Sequence, residues 1–119
     1  MYKRQLKELQ KLDGFVAAAV GHGESGMAMG TIGGGEHFNI EVAVAANAQV
    51  IRAKLKAIQA LKLKGEIEDI LITLNSQYHL IRPLQSNPII FIYLSLERDK
   101  SNLALARYKL ESIEKKLNI

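Results

Sequence analysis

Three glycines spaced as Gly21-x-Gly23-x-x-Gly26 are the first residues in this 119-residue chain whose pattern could do chemistry. The spacing matches the dinucleotide-binding fingerprint. There the glycines make a tight turn and a helix begins at them, so that its N-terminal amides face a pyrophosphate. Here the turn runs on into Met27-Ala28-Met29-Gly30, a poor helix start, and no acid stands where a second parallel strand would end. The residues fit a hairpin turn with positive φ angles better than a nucleotide site. Gly33-Gly34-Gly35 poses the same question, but no Lys-Ser/Thr follows, as a phosphate-binding loop requires. It reads as a connection into the next element.

The other reactive side chains form no set. His22, His37 and His79 lie far apart and lack ligand spacing, and there is no cysteine to supply a thiolate or a disulfide. His79, beside Tyr78 in a strand-like run, reads as a half-buried sheet residue. Glu66, Glu68 and Asp69 cluster where a strand begins, and read as a solvated strand end that discourages edge aggregation. Ser25 sits among glycines without the strand-to-helix context of a nucleophile elbow, so no nucleophile–base pair can be argued. No catalytic residue, metal ligand or cofactor site is assigned, and an interaction protein is a better reading than an enzyme.

The formal charge of +4 suggests nucleic acid until its distribution is read. Lys3, Arg4, Lys7 and Lys11, then Arg52, Lys54, Lys56, Lys62 and Lys64, then Arg107, Lys109, Lys115 and Lys116 are spread over three helical segments. They alternate with acids or apolar residues, and no basic run carries aromatics for base stacking. Nucleic acid is therefore not an expected partner. No window has the length of a transmembrane helix, and Met1-Tyr2-Lys3-Arg4-Gln5-Leu6 lacks the apolar run of a signal peptide. A soluble, cytoplasmic, single-domain protein over residues 1–119 is expected.

The elements follow from periodicity and punctuation. Leu6, Leu9 and Leu12 mark a short amphipathic helix over 2–12, ended by Asp13-Gly14. Phe15–Val20 and a weaker run through Met27, Met29 and Thr31-Ile32 make a hairpin. Residues 39–63 form one long helix, with Asn39 as its cap. Three strands follow at about 67–74, 78–84 and 89–96, separated by Asn75-Ser76-Gln77 and Gln85-Ser86-Asn87-Pro88. Ile70-Leu71-Ile72 and Ile89-Ile90-Phe91-Ile92 are apolar on both faces, the pattern of strands inside a covered sheet. A last helix starts near Asp99 or Ser101 and buries Leu103, Ala106, Leu110, Ile113 and Leu117. The connections are too short for parallel crossovers, so the sheet is expected to be mainly antiparallel. The order α-β-β-α-β-β-β-α describes an α/β (α+β) domain, a five-stranded sheet with the terminal helices on one face and the long helix on the other.

That long helix has two apolar sides. Ile40, Val44, Ala48, Ile51, Leu55 and Ile58 form a stripe suited to the sheet. Val42, Ala46, Val50, Ala53, Ala57 and Ala60 form a second, on roughly the opposite side, whose small side chains let another helix come close. A polar band with Glu41, Gln49, Arg52, Lys56 and Gln59 lies between them. A chain this short offers no second long helix, so the partner predicted for the alanine side is another copy of itself.

Two segments resemble the Roadblock/LC7 family. Glu66-Ile67-Glu68-Asp69-Ile70-Leu71-Ile72-Thr73-Leu74 with Gln77-Tyr78-His79-Leu80-Ile81-Arg82-Pro83-Leu84 is similar to its third and fourth strands. Leu96-Glu97-Arg98-Asp99 with Asn102-Leu103-Ala104-Leu105-Ala106-Arg107 is similar to its junction into the last helix. The resemblance implies a homodimer in which the long helices pair antiparallel and the third strands meet edge to edge. It also implies a platform or regulator of a Ras-like small GTPase, most like the prokaryotic MglB type, with activity resembling that of a GTPase-activating protein. An adaptor or signalling scaffold without a GTPase partner is the alternative it leaves open. Val42, Ala46, Val50, Ala53 and Ala57 are then the expected dimer contacts, and Gln49, Arg52, Lys56 and Gln59 the expected partner contacts. Arg52 reads as a surface contact rather than an arginine finger, and Arg107 as a partner for an acid or carbonyl within the fold.

Overall fold

A computed structural model describes residues 2–117. Five strands, β1 (Phe15–His22), β2 (Ala28–Gly33), β3 (Ile70–Thr73), β4 (Gln77–Pro83) and β5 (Ile90–Glu97), form one sheet in the order β2-β1-β5-β4-β3. Every neighbouring pair is antiparallel. Among the described residues three α-helices accompany them: α1 (Lys3–Leu6), α2 (Ile40–Ala60) and α3 (Leu103–Lys116). The expected element order, antiparallel sheet and two-sided covering all hold.

The two faces carry separate cores. On one, Leu6, Leu9 and α3 residues Ala106, Leu110 and Ile113 pack with Ala18, Val20, Leu80, Leu94 and Leu96. On the other, Val44, Ala48 and Ile51 of α2 pack with Ala19, Ile81, Phe91 and Tyr93. β5 runs through the middle of both, buried from Ile90 to Leu96, as its doubly apolar run requires.

Four local readings are corrected. The Leu6, Leu9, Leu12 spacing of three is not that of an α-helix over 2–12: α1 ends at Leu6 and a 3-10 turn takes over from Lys7 to Lys11. Residues three apart eclipse one another in that geometry, so a strict period of three fits it better than 3.6. The last helix is capped by Asn102, whose Oδ1 accepts the Leu105 amide at 3.0 Å, while Asp99 lies in a 3-10 turn before it. Asn39 is the α2 cap as expected, accepting the amides of Glu41 and Val42 at 3.1 Å.

The third correction concerns the end of α2, which lies at Ala60 rather than residue 63. Lys62 adopts a left-handed φ of 56°. Its amide bonds to Gln59 O, and the Leu63 amide to Ile58 O. Those two bonds are a Schellman cap with a lysine at the position that glycine usually holds. The next glycine, Gly65, lies three residues further on.

The fourth correction concerns β3. It spans four residues, shorter than the expected 67–74, and Asp69, just before it, is held in an ion pair with Arg107 of α3. Its Ile70-Leu71-Ile72 run is of interior type, yet β3 is an edge strand and all three residues are only half-buried.

A left-handed Lys carries a Cβ penalty that glycine does not, partly offset by glycine's greater chain entropy. Lys62→Gly is expected to raise stability by about 0.5–1 kcal/mol in urea unfolding at constant m-value.

Candidate interaction surface

The glycine turn is a packing device. Gly23 N–H donates to Ile89 O at 2.6 Å, Gly26 N–H to His22 O at 2.8 Å and His22 N–H to Met27 O at 2.9 Å. The Ser25 amide donates to His22 Nδ1 at 3.1 Å, and the Met27 amide to Ser25 Oγ at 3.2 Å. These amides are spent within the turn or, for Gly23, on the Ile89 carbonyl just before β5, so they are not arrayed for a phosphate. The carbonyls of Gly23 and Glu24 point at the Arg52 guanidinium, whose Nη1 donates to both. At Gly21 a Cβ would stand 2.5 Å from the Phe91 ring and 2.7 Å from Val44 Cγ1. Glycine there lets α2 lie close on the sheet.

Ser25 and His22 are brought together, which the sequence did not foretell: Ser25 Oγ lies 3.0 Å from His22 Nδ1. The contact caps an exposed turn, and among the described residues no carboxylate pairs with that imidazole. Among the described residues, a relatively enclosed pocket lined by Leu55, Ile58, Ile67 and Pro83 holds about 120 Å³, short of the ~300 Å³ at which small-molecule sites begin, and the larger hollows, up to about 480 Å³, lie open to solvent.

What the fold presents instead is α2. Its inner stripe is satisfied by the sheet: Val44, Ala48 and Ile51 are buried. Its other apolar side is not. Val42 is 62% exposed, Ala46 and Ala53 are exposed, and Val50 and Ala57 are half-buried where they turn down toward the sheet. Of the polar band, Gln49, Lys56 and Gln59 are exposed, while Arg52 is half-buried and tied to the β1–β2 turn. Because that turn belongs to the β2 side of the sheet, the band faces that way. The alanine side faces outward and toward β4 and β3. Asn47, a polar residue that breaks the apolar pattern of α2, is buried and donates Nδ2 to the Ala43 carbonyl one turn earlier, at 2.7 Å.

Two ion pairs fix the β3–β4 end of the sheet to α3. Arg107 grips Asp69 with both Nε, at 2.9 Å, and Nη2, at 3.2 Å, the internal acid expected for it. Arg82 Nε lies 2.6 Å from Glu114 Oε1, and Glu114 Oε2 accepts the Gln85 amide at 2.7 Å. On the α2 face of the same strands, His79 is half-buried as expected, edge-on to Phe38 and Tyr93 with ring centroids at 6.3 and 5.5 Å. Its Nε2 lies 2.8 Å from Gln77 Oε1. Tyr93 Oη is buried with no hydrogen-bond partner among the described residues, and burial pushes its hydroxyl up to about 12.

No family model matches the chain, and no curated protein does. Solved structures do. A Roadblock/LC7 domain from Streptomyces avermitilis superposes with a TM-score of 0.77 at 12% identity, over 90% of this chain and 85% of that one. The chain has the Roadblock/LC7 fold. Myxococcus xanthus MglB gives a TM-score of 0.77 at 10% identity, over 95% of this chain and 78% of its own. MglC from the same organism gives 0.63 at 19% identity, over 97% and 94%. At such identities the fold is what is shared, and the element order and strand–helix junctions that carried the resemblance belong to it. In this Roadblock/LC7 fold, among the described residues, no helix is long and apolar enough to cross a membrane.

Desolvation holds the His79 imidazole below the ordinary histidine value. The unfolded chain therefore takes up a proton before the folded one does, and folding stability falls as pH drops below about 6.5. Between pH 7.5 and 5, His79→Leu is expected to flatten the pH dependence of the urea midpoint relative to the parent. An unchanged slope contradicts the assignment to His79.

Proposed function

We propose that this protein is a non-catalytic homodimeric platform that binds a Ras-like small GTPase and regulates it. The observation that carries the reading is the pair of unsatisfied apolar surfaces on one side of the molecule: the exposed alanine stripe of α2 and the interior-type strand β3 at the sheet edge. One symmetry operation answers both. A two-fold axis at the β3 edge lets the two β3 strands pair antiparallel into a ten-stranded sheet. The second α2 is then laid beside the first, over the half-buried Ile70, Ile72 and His79. Val42, Ala46, Val50, Ala53 and Ala57 form the helix contact, where small side chains allow the backbones to approach.

Regulation of a GTPase rests on the fold and on the role that the family resemblance implies; two of the similar structures are of MglB and MglC. In this reading the docking surface is the polar band, Gln49, Lys56 and Gln59 with Arg52 at its margin, doubled by the two-fold axis. Arg52 is anchored to the turn, which suits a positioning contact rather than a side chain that swings into an active site. The mechanism is docking of a preformed dimer on the switch region of the GTPase, shifting its conformational equilibrium.

Ala53 is exposed in the single chain, so a charge there costs the isolated fold little. Buried unpaired between two subunits it is expensive. Ala53→Glu is therefore expected to turn a dimer into a folded monomer by light scattering, with the monomer's circular dichroism unchanged. A variant that remains a tight dimer contradicts the helix contact. Capture of a small GTPase from source lysate by the immobilised parent, dependent on a GTP analogue and reduced by Lys56→Glu, is the expected result for the partner. Recovery of only non-GTPase proteins would replace this reading with the adaptor.

A further inference from the structure

The positive charge of this chain is concentrated in one place. From Val42 to Gly65 there is no acidic residue, and Arg52, Lys54, Lys56, Lys62 and Lys64 all fall within that stretch. Of the 16 Lys and Arg in the chain, the other 11 are set against 12 Asp and Glu. The whole excess of +4 therefore belongs to α2 and the residues that follow it. The four lysines are exposed, and among the described residues none is paired with a carboxylate, whereas Lys100, Lys115 and Lys116 are. Capping does not require them. The last turn of α2 carries no basic residue, and its carbonyls are taken by the Leu61, Lys62 and Leu63 amides.

Two large apolar side chains stand at the same end. Leu61 is 66% exposed and Leu63 59%. They alternate with Lys62 and Lys64 where the chain leaves the helix, and every residue from Gln59 to Glu66 is exposed. The apolar hollow lined by Leu55, Ile58, Gly65 and Ile67 adjoins them. A single exposed leucine is ordinary. Two of them, set between unpaired lysines and continuous with an apolar hollow, form an amphipathic projection. Glu66 bounds it on the side where Glu111 and Glu114 of α3 stand.

We propose that this projection docks the protein on an anionic membrane surface, with Leu61 and Leu63 entering the headgroup region and Lys62 and Lys64 held against the lipid charges. Charge selects the occupant: an acid-free cationic stretch repels its own copy and attracts a negative surface. The alternation supplies what an interface demands, apolar tips inward and ammonium heads at the level of the lipid charges. Each lysine near such a surface contributes roughly a fivefold gain in partitioning. Each leucine fully withdrawn from water contributes roughly tenfold or more. One projection gives weak, reversible binding that salt reduces. It lies beyond the residues assigned to the helix contact and to the GTPase, and the proposal depends on neither.

The chain contains no tryptophan, so Leu63→Trp gives it a single reporter at the projection. Tyr108→Trp gives one on α3, where Tyr108 is 70% exposed on the other face of the sheet. Vesicles of phosphatidylcholine with roughly one-third phosphatidylserine, and vesicles of phosphatidylcholine alone, are titrated into each. The anionic vesicles are expected to shift the Leu63→Trp emission to the blue and to carry the parent in flotation. Neutral vesicles give no shift, and neither does the Tyr108→Trp reporter. Lys62→Asn with Lys64→Gln is expected to lower partitioning of the parent chain roughly tenfold or more, and Leu61→Ser with Leu63→Ser at least as far. All four positions are exposed and Asn tolerates the left-handed φ at residue 62, so both variants are expected to keep the parent's circular dichroism. No shift and no flotation with anionic vesicles overturns the proposal and leaves the lysines to an acidic protein. Equal binding to neutral vesicles overturns the selection by charge, and folded leucine variants that float like the parent overturn the insertion.

Discussion

A helix with two apolar sides can satisfy only one of them on its own sheet, and that constraint organises this molecule. α2 lays Val44, Ala48 and Ile51 into the core over Ala19, Phe91 and Tyr93, which commits the opposite side to solvent or to another subunit. The other features on this face serve the seating of that helix. Gly21 clears the space beneath Val44. Asn39 closes its first turn, and Arg52 ties it to the β1–β2 turn. A helix held this firmly can present its outer stripe as a rigid surface.

The second constraint is at the sheet edge. β3 is composed like a central strand and stands at the margin, held from behind by Arg107 on Asp69. Strand and helix stripe lie on the same side of the molecule, so one two-fold operation can cover both. That coincidence is the physical content of the dimer reading. The fold comparison supplies the context in which such a surface becomes a platform for a GTPase.

Most of the architecture was legible because the signals are local. Period 3.6 in α2 and α3, alternation and doubly apolar runs in the strands, and Gly or Asn-Ser breaks between them gave the order and the two covered faces. The errors arose where local signals were ambiguous or the deciding contact was distant. Leu6, Leu9 and Leu12 are apolar as in an amphipathic α-helix, and only their strict spacing of three speaks for the 3-10 turn. Lys62 could not be known to go left-handed, because its side chain carries no signal for that conformation. The apolar composition of β3 spoke of burial without saying whether its own chain or another supplies it. The His22–Ser25 contact depends on rotamers in a turn, and Arg82–Glu114 joins residues 32 positions apart; neither leaves a mark in a pattern of residue types.

The dimer geometry can be measured directly, because the chain contains no cysteine and accepts single labels. Spin labels placed one at a time at Val42, Gln49 and Lys56 report the distance from each position to its own copy. Antiparallel pairing centred near Val50 gives the shortest distance at Gln49. At Val42 and Lys56 the axial separation grows by roughly 20 Å, seven residues at 1.5 Å each on both helices. Distances that rise steadily along the helix, that stay equal, or that are absent because the spins never couple would contradict the account.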